Sequence, residues 1–317
     1  MSLITNNDDM NSNDLKIFEA AAMLGSFTKA AEATFTVQSN VTARIKNLEE
    51  EFGAELFKRV SRKVVLTEAG HTLLQYAKKI GSLLDDAKSD IQSVDKIGGT
   101  IRIGCIETTM ALKVPEIIKT FAELYPLVEL EFHSAVLPTL IRDVIDYKLD
   151  AAFVAAPINI PGLEQLIVRD EQLVIIAAKD GDDLETILKQ DPLKIVVFGQ
   201  GCFFRARLET WLGSKGILRY KSTILNSIEG IINFVEAGLG ISILPAEVVN
   251  LYYQNRNIKT FPVSKELATM TTLLIYRNDD LPSKALNAFL NQYKSESLKV
   301  ESLKVESRKS KVVKCKM

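Results

Sequence analysis

The sequence predicts an α/β protein headed by a small all-α-type domain, on three observations. Gly25 to Gly53 holds two short helical patterns with a tight break between them. A long helical pattern whose apolar residues are spaced by fours and threes runs on from Thr67. Beyond Ile101, short apolar runs alternate with helical stretches, the signature of helices layered on sheets.

The first short pattern puts Phe27, Ala30 and Ala31 on one face, with Ser26 placed to cap it and Phe35 in the break that follows. The second carries Val41, Ile45 and Leu48 at i, i+4 and i+7, which turns Gln38, Ser39, Thr42, Ala43 and Lys46 outward. Such a row of amide, hydroxyl, methyl and cation suits base edges in a major groove. Gln can address adenine twice, Thr or Ala can meet a thymine methyl, and Lys or Arg can reach guanine or phosphate. Small residues at Ala30 and Ala31 permit the close crossing of a helix-turn-helix. Two surface helices of any α-rich domain would share this periodicity, so the next stretch decides. Leu56 to Arg59 and Val64 to Leu66 read as short strands around a basic tip, Ser61-Arg62-Lys63. That is a wing, whose cations would contact phosphates and set register. Its position directly after a recognition helix argues against an ordinary solvated hairpin.

Thr67 can cap the long helix, and Glu68 favours the positive end of its dipole. Leu73, Ala77, Ile80, Leu84, Ala87, Ile91 and Val94 form a heptad seam, which argues for pairing with a second long helix. A helix packed only on its own domain would drift toward a 3.6-residue period. Gly98-Gly99 is expected to end the helix in a hinge. Strands are expected at Ile101 to Cys105, Val128 to Phe132, Ala151 to Ala155, Leu173 to Ala178, Ile195 to Phe198, Ile241 to Leu244 and Met270 to Tyr276, in parallel sheets. Helices are expected at Leu112 to Tyr125, Leu137 to Tyr147 and Phe203 to Gly213.

The layout read from these patterns is a mobile tail at 1–12, the winged helix-turn-helix at 13–66, the dimerisation helix at 67–96 and an α/β domain at 97–295. The break at Ala155-Ala156-Pro157 and the late return strand divide that domain into subdomain I (about 100–160 and 268–293) and subdomain II (about 165–266). The repeat Glu296-Ser297-Leu298-Lys299-Val300, Glu301-Ser302-Leu303-Lys304-Val305 opens a low-complexity charged tail at 296–317, whose period of five fits neither helix nor strand.

Composition narrows the function classes. The 317 residues carry 47% hydrophobic and 25% charged residues, as a globular protein of two or three domains would. A net charge of -1 means that any nucleic-acid surface must be local, as the group Arg44, Lys46, Lys58, Arg59, Arg62 and Lys63 suggests. No apolar run approaches the roughly twenty residues that span a bilayer, and the start is polar and acidic, so a cytoplasmic, reducing location without membrane association is expected. Three widely spaced cysteines and two histidines leave no metal-ligand pattern and no credible Ser-His-Asp set; no phosphate loop or dinucleotide fingerprint appears. Neither an enzyme nor a cofactor or metal is expected.

Leu15 to Gly70 resembles the N-terminal domain of LysR-type transcriptional regulators. The residues that carry the resemblance are Phe18, the run Gly25-Ser26-Phe27-Thr28-Lys29-Ala30-Ala31-Glu32, Gln38, Val41-Thr42, Ile45, Leu48-Glu49, Gly53, Leu56-Phe57, Arg59 and Leu66-Thr67-Glu68-Ala69-Gly70. Leu149 to Phe153 and Glu236 to Pro245 match signatures of the same family's effector domain, itself similar to periplasmic binding proteins, so the resemblance runs to about Tyr293. Val37 departs from the family's usual capping Ser, Ser39-Asn40 from a common Pro-Ala, and Ala43 from a long polar residue.

The resemblance implies a sequence-specific regulator of promoter DNA, a homodimer that assembles to a homotetramer, controlled by a small-molecule effector held between the two subdomains. It places DNA contacts at Gln38, Ser39 and Thr42, with Arg44, Lys46, Arg59, Arg62 and Lys63 beside them, and effector contacts at Thr108, Thr109, Cys202, Phe204, Arg205, Asn226 and Ser227. Helix starts beyond the strand ends, with Arg205 as charge partner, make an organic anion the expected effector; Glu107 would instead select an amine or cation. Cys202, at a helix start, is the alternative of a redox sensor. Two rival classes remain. A solute-binding protein is disfavoured by the winged helix and the polar start, and an enzyme by the missing catalytic motifs.

Overall fold

The computed structural model describes residues 10–60, 63–92, 96–278 and 282–294, and the chain divides after Gln92 into two compact units.

In the first unit, α1 (Ser12–Leu24) begins in a reciprocal capping box: Asn11 Oδ1 accepts from the Asp14 amide and Asp14 Oδ2 from the Asn11 amide. The cap at Asn11 thus falls within the stretch 1–12 expected as a tail, of which residues 1–9 lie outside the described residues. Gly25, at φ 59°, closes α1, and Ser26 caps α2 (Phe27–Ala33) by accepting from the Lys29 amide. Helix α3 (Gln38–Phe52) starts at Val37, which offers no capping side chain. Phe18, Ala21, Ala30, Val41, Ile45 and Leu48 are all buried where the three helices cross. Each large apolar side chain enclosed there contributes roughly 1.5–3 kcal/mol.

The wing, β1 (Phe57–Val60) and β2 (Lys63–Leu66), is an antiparallel pair whose register joins Val60 to Lys63. Three ties hold it. The amides of Leu56 and Phe57 donate to Glu49 Oε1 at 2.8 and 3.2 Å, the Val64 amide donates to the Gly25 carbonyl, and Phe57 packs on the rings of Phe18 and Phe27. Thr67 Oγ1 then accepts from the Gly70 amide and starts α4 (Glu68–Gln92). A Cβ on Gly70 would lie 2.1 Å from the Leu56 carbonyl oxygen, so only glycine lets α4 begin this close to the wing. The heptad seam divides along α4. Leu73 and Ala77 are buried in the unit's own core, whereas Ile80, Leu84 and Ile91 are exposed; Val94 lies outside the described residues.

In the second unit, β3 (Gly98–Cys105), β4 (Leu127–Ser134) and β5 (Ala151–Ala155) run parallel. Gly98 and Gly99 thus open a strand rather than form the expected hinge. The helix expected at Leu112 to Tyr125 is α6 (Val114–Leu124), with Pro115 in its first turn, and a short unexpected helix, α5 (Glu107–Leu112), precedes it. Helix α7 (Leu137–Ile145) crosses from β4 to β5.

Strand β6 (Leu163–Ala178) is 16 residues long and starts ten residues before the strand expected at Leu173. It then joins α8 (Leu184–Leu188), β7 (Leu193–Val197), α9 (Phe203–Ser214), β8 (Tyr220–Ile224), α10 (Ile228–Glu236), β9 (Ser242–Pro245), α11 (Ala246–Tyr252), β10 (Ile258–Pro262) and β11 (Thr269–Arg277). A last helix, α12, covers 284–294 and covers Phe121 and Phe153 with Phe289. β6 pairs with β11 up to Gln172, and beyond it with β9 and β10 on opposite edges. One strand thereby serves two lobes of sheet. The sheets are mixed, not parallel as expected: β6 pairs antiparallel with β9, β10 and β11.

Candidate functional site

Helix α3 presents Gln38, Ser39, Thr42, Ala43 and Lys46 to solvent, opposite buried Val41, Ile45 and Leu48. Gln38 Nε2 donates to Thr42 Oγ1 at 3.1 Å, and Thr42 Oγ1 donates to the Gln38 carbonyl, so the two polar groups at the helix start hold each other in place. Phe35, 98% exposed, and Val37, 64% exposed, add an apolar edge to this end of the helix, a feature that periodicity alone missed. Lys58, Arg59 and Lys63 stand exposed on the wing; Arg62 lies outside the described residues. Lys46 pairs with Glu50 in solvent. Arg44 is differently placed: its Nη1 is 3.2 Å from the buried carboxylate of Asp14, which makes it a tie between α3 and α1 rather than a free cation on the outward row.

In the second unit a cavity of about 230 Å³ lies beyond the carboxyl ends of the strands of both lobes. Ile106, Ser134 and Ala155 reach it from the ends of β3, β4 and β5; Phe198, Cys202 and Asn226 reach it from the segments after β7 and β8. Phe204, Phe203 and Glu107 complete most of the wall. Glu107 accepts a hydrogen bond from Ser134 Oγ at 3.3 Å.

Of the residues expected to meet an effector, Cys202, Phe204 and Asn226 line this cavity. Thr108 and Thr109 do not: both are buried in α5, at 0% and 2% exposure, because the helix begins at Glu107 and turns that residue to the cavity instead. Ser227 caps α10, accepting from the Gly230 amide. Arg205 lies in a neighbouring recess with Gln200, Ala206 and Glu209, and its Nε donates to Glu209 at 3.0 Å. Its Nη1 is buried there without a hydrogen-bond partner among the described residues, and the recess shares Leu137, Cys202 and Phe203 with the cavity, whose own lining does not include Arg205.

Burial pushes the Cys202 thiol up from its ordinary value, against the opposing pull of the Arg205 and Phe204 backbone N–H groups and the Arg205 charge. Burial thus works against the reactive thiolate that a redox sensor needs. The thiol of Cys105, buried at the end of β3, is pushed up to about 12, first by burial and then by the Glu107 charge.

The family description "Bacterial regulatory helix-turn-helix protein, lysR family" matches residues 12–71, and "LysR substrate binding domain" matches residues 95–297. The chain belongs to the LysR family of transcriptional regulators. It is 37% identical over 284 residues to the regulator YusT of Bacillus subtilis, covering 90% of this chain and 95% of that one. It is likewise 37% identical over 286 residues to the regulator SoxR of an Arthrobacter species, covering 90% and 97%. Full-length OxyR of Pseudomonas aeruginosa shares the fold at a TM-score of 0.66 and 21% identity over 91% of this chain and 94% of that one. Full-length CbnR bound to its target DNA does so at 0.64 and 18% over 90% and 100%.

As a LysR regulator, the chain joins a DNA-binding unit to a substrate-binding one, and its relatives are regulators, not enzymes. Two of the motif residues now have physical reasons: Glu49 pins the wing to α3, and Gly70 lets the following helix approach the wing. Among the described residues no helix is long and apolar enough to cross a membrane, and no group of metal-ligating side chains is assembled.

Proposed function

We propose that Gln38, Ser39 and Thr42 read base edges in the major groove while Lys46, Lys58, Arg59 and Lys63 hold phosphates, the wing fixing the register of α3. The observation that carries this is the opposition of faces on α3: three buried apolar side chains behind an exposed polar row, beside a wing tied down by Glu49. In this reading the protein works in the cytoplasm as a homodimer. Ile80, Leu84 and Ile91, exposed along one side of a helix of 25 residues, are the face that a second copy covers. Arg62, outside the described residues, belongs to the same cationic group by its place at the wing tip.

The effector occupies the cavity at the strand ends, where walls from both lobes of the second unit meet it. Its binding favours one arrangement of the lobes and so shifts the population of DNA-bound assemblies. The test is binding of operator and random duplexes across a salt series. Gln38→Ala should relax preference at one base pair per half-site, a loss of about 1–3 kcal/mol on operator only. Lys63→Ala should weaken both duplexes alike and lower the salt slope by about 0.9. Equal weakening of both duplexes by both variants would remove the base-reading assignment.

A further inference from the structure

The charge of the cavity's contents can be read from its walls. Among the described residues lining it, one side chain is charged, and that is Glu107. Among the described residues Glu107 forms no ion pair, and its side-chain partner is the neutral Ser134 hydroxyl. Arg205 lines the neighbouring recess rather than this cavity, where its Nε pairs with Glu209. The rest of the wall is mainly apolar, with the Phe204 ring edge-on to Phe203 at 5.8 Å and tilted against Phe198 at 6.3 Å between centroids. Enclosing a carboxylate against apolar walls is costly unless a cation joins it, and among the described residues lining this cavity none is cationic.

We propose that the effector is a small amine: its ammonium pairs with Glu107 beside Ser134, and its apolar body lies against Phe203 and Phe204. The inference rests on the reading of this cavity as the effector site and replaces the organic anion expected from Arg205. The volume equals roughly eight waters of bulk liquid at ~30 Å³ each, which suits a metabolite of modest size and excludes a peptide. The ammonium donates up to three hydrogen bonds, enough for both Glu107 oxygens and the Ser134 hydroxyl oxygen.

Thermal unfolding of the full chain tests this with matched ligand sets: propyl, cyclohexylmethyl and phenethyl skeletons, each as primary amine, carboxylate and alcohol. The amine of at least one skeleton should raise the midpoint of the second unit by roughly 5 to 10 degrees at a hundredfold excess over its Kd. Its carboxylate and alcohol counterparts should leave the midpoint in place. Glu107→Gln, nearly isosteric and half-buried at its site, should weaken amine binding about tenfold or more, and Glu107→Lys should transfer the shift to the carboxylate of the same skeleton. Carboxylates that stabilise the wild-type chain would overturn the amine while leaving the cavity as the effector site. An amine shift that survives Glu107→Gln would overturn the role of Glu107. No shift with any member would overturn both the amine and the cavity reading.

Discussion

Removing the Glu49 carboxylate should unpin the wing, and the cost can be worked from two bonds. Glu49 Oε1 accepts from the amides of Leu56 and Phe57 at 2.8 and 3.2 Å, and both donors belong to residues less than a tenth exposed. Hydrogen bonds to a charged acceptor contribute about 1.5–3 kcal/mol each, and a buried amide left alone costs about 1–3 kcal/mol. Glu49 itself is half-buried, so water can reach part of the site and the lower ends of these ranges apply. Glu49→Ala should therefore lower the stability of the first unit by about 2–4 kcal/mol. Glu49→Gln keeps an acceptor oxygen in place and should cost about 1 kcal/mol or less. Urea denaturation of the full chain, followed by a probe confined to the first unit, reads both values. Random-duplex affinity should fall further for the Ala variant than Lys63→Ala alone explains, because the whole wing loses its seat. A Glu49→Ala chain within 0.5 kcal/mol of wild type, or a Gln variant as damaged as the Ala one, would refute the reasoning.

Other outcomes can be checked the same way. Val37→Ser places a capping oxygen on a residue whose backbone is already extended (φ -102°, ψ 151°), and should raise the stability of the first unit by about 1 kcal/mol; no rise in its melting midpoint would show that the α3 amides are otherwise satisfied. Gly70→Ala forces a Cβ against the Leu56 carbonyl and should cost about 3 kcal/mol, so a variant that melts with wild type would contradict the close approach of α4 to the wing. Because burial raises the Cys202 thiol, its thiolate fraction at neutral pH is below that of an ordinary cysteine. Iodoacetamide should label it more slowly in the native chain than after unfolding, and the native rate should climb only above the usual thiol range. Native labelling faster than unfolded would restore the redox-sensor alternative.

The residues whose partners lie within one or two helical turns were legible from the start. Val41, Ile45 and Leu48 are buried because their spacing places them on one face, and Ser26 and Thr67 cap helices because a hydroxyl three residues before an amide can reach it. Strands with fully buried sides, such as Ala151–Ala155, announced themselves as apolar runs. Strands β8 and β10 did not, since most of their residues stay at least partly exposed and leave no periodic signal. The first ten residues of β6 mix Glu164, Gln165, Arg169 and Asp170 among apolar neighbours, and only pairing with β11 makes them a strand.

What the sequence by itself determined is the order of the units, the helix-turn-helix with its outward row, the wing and the family, because those depend on contacts a few residues apart. What tertiary structure alone decided is how the long seam of α4 divides between its own core and an exposed face, and which residues wall the cavity. Glu107 rather than Thr108 faces that space through the phase of a six-residue helix, and Arg205 turns from it to a glutamate one turn along. Cavity walls drawn from Ile106, Ser134, Ala155, Phe198 and Asn226 come together only when two lobes share β6, and the direction of a side chain at such a meeting is set by packing from every side, which no local pattern records.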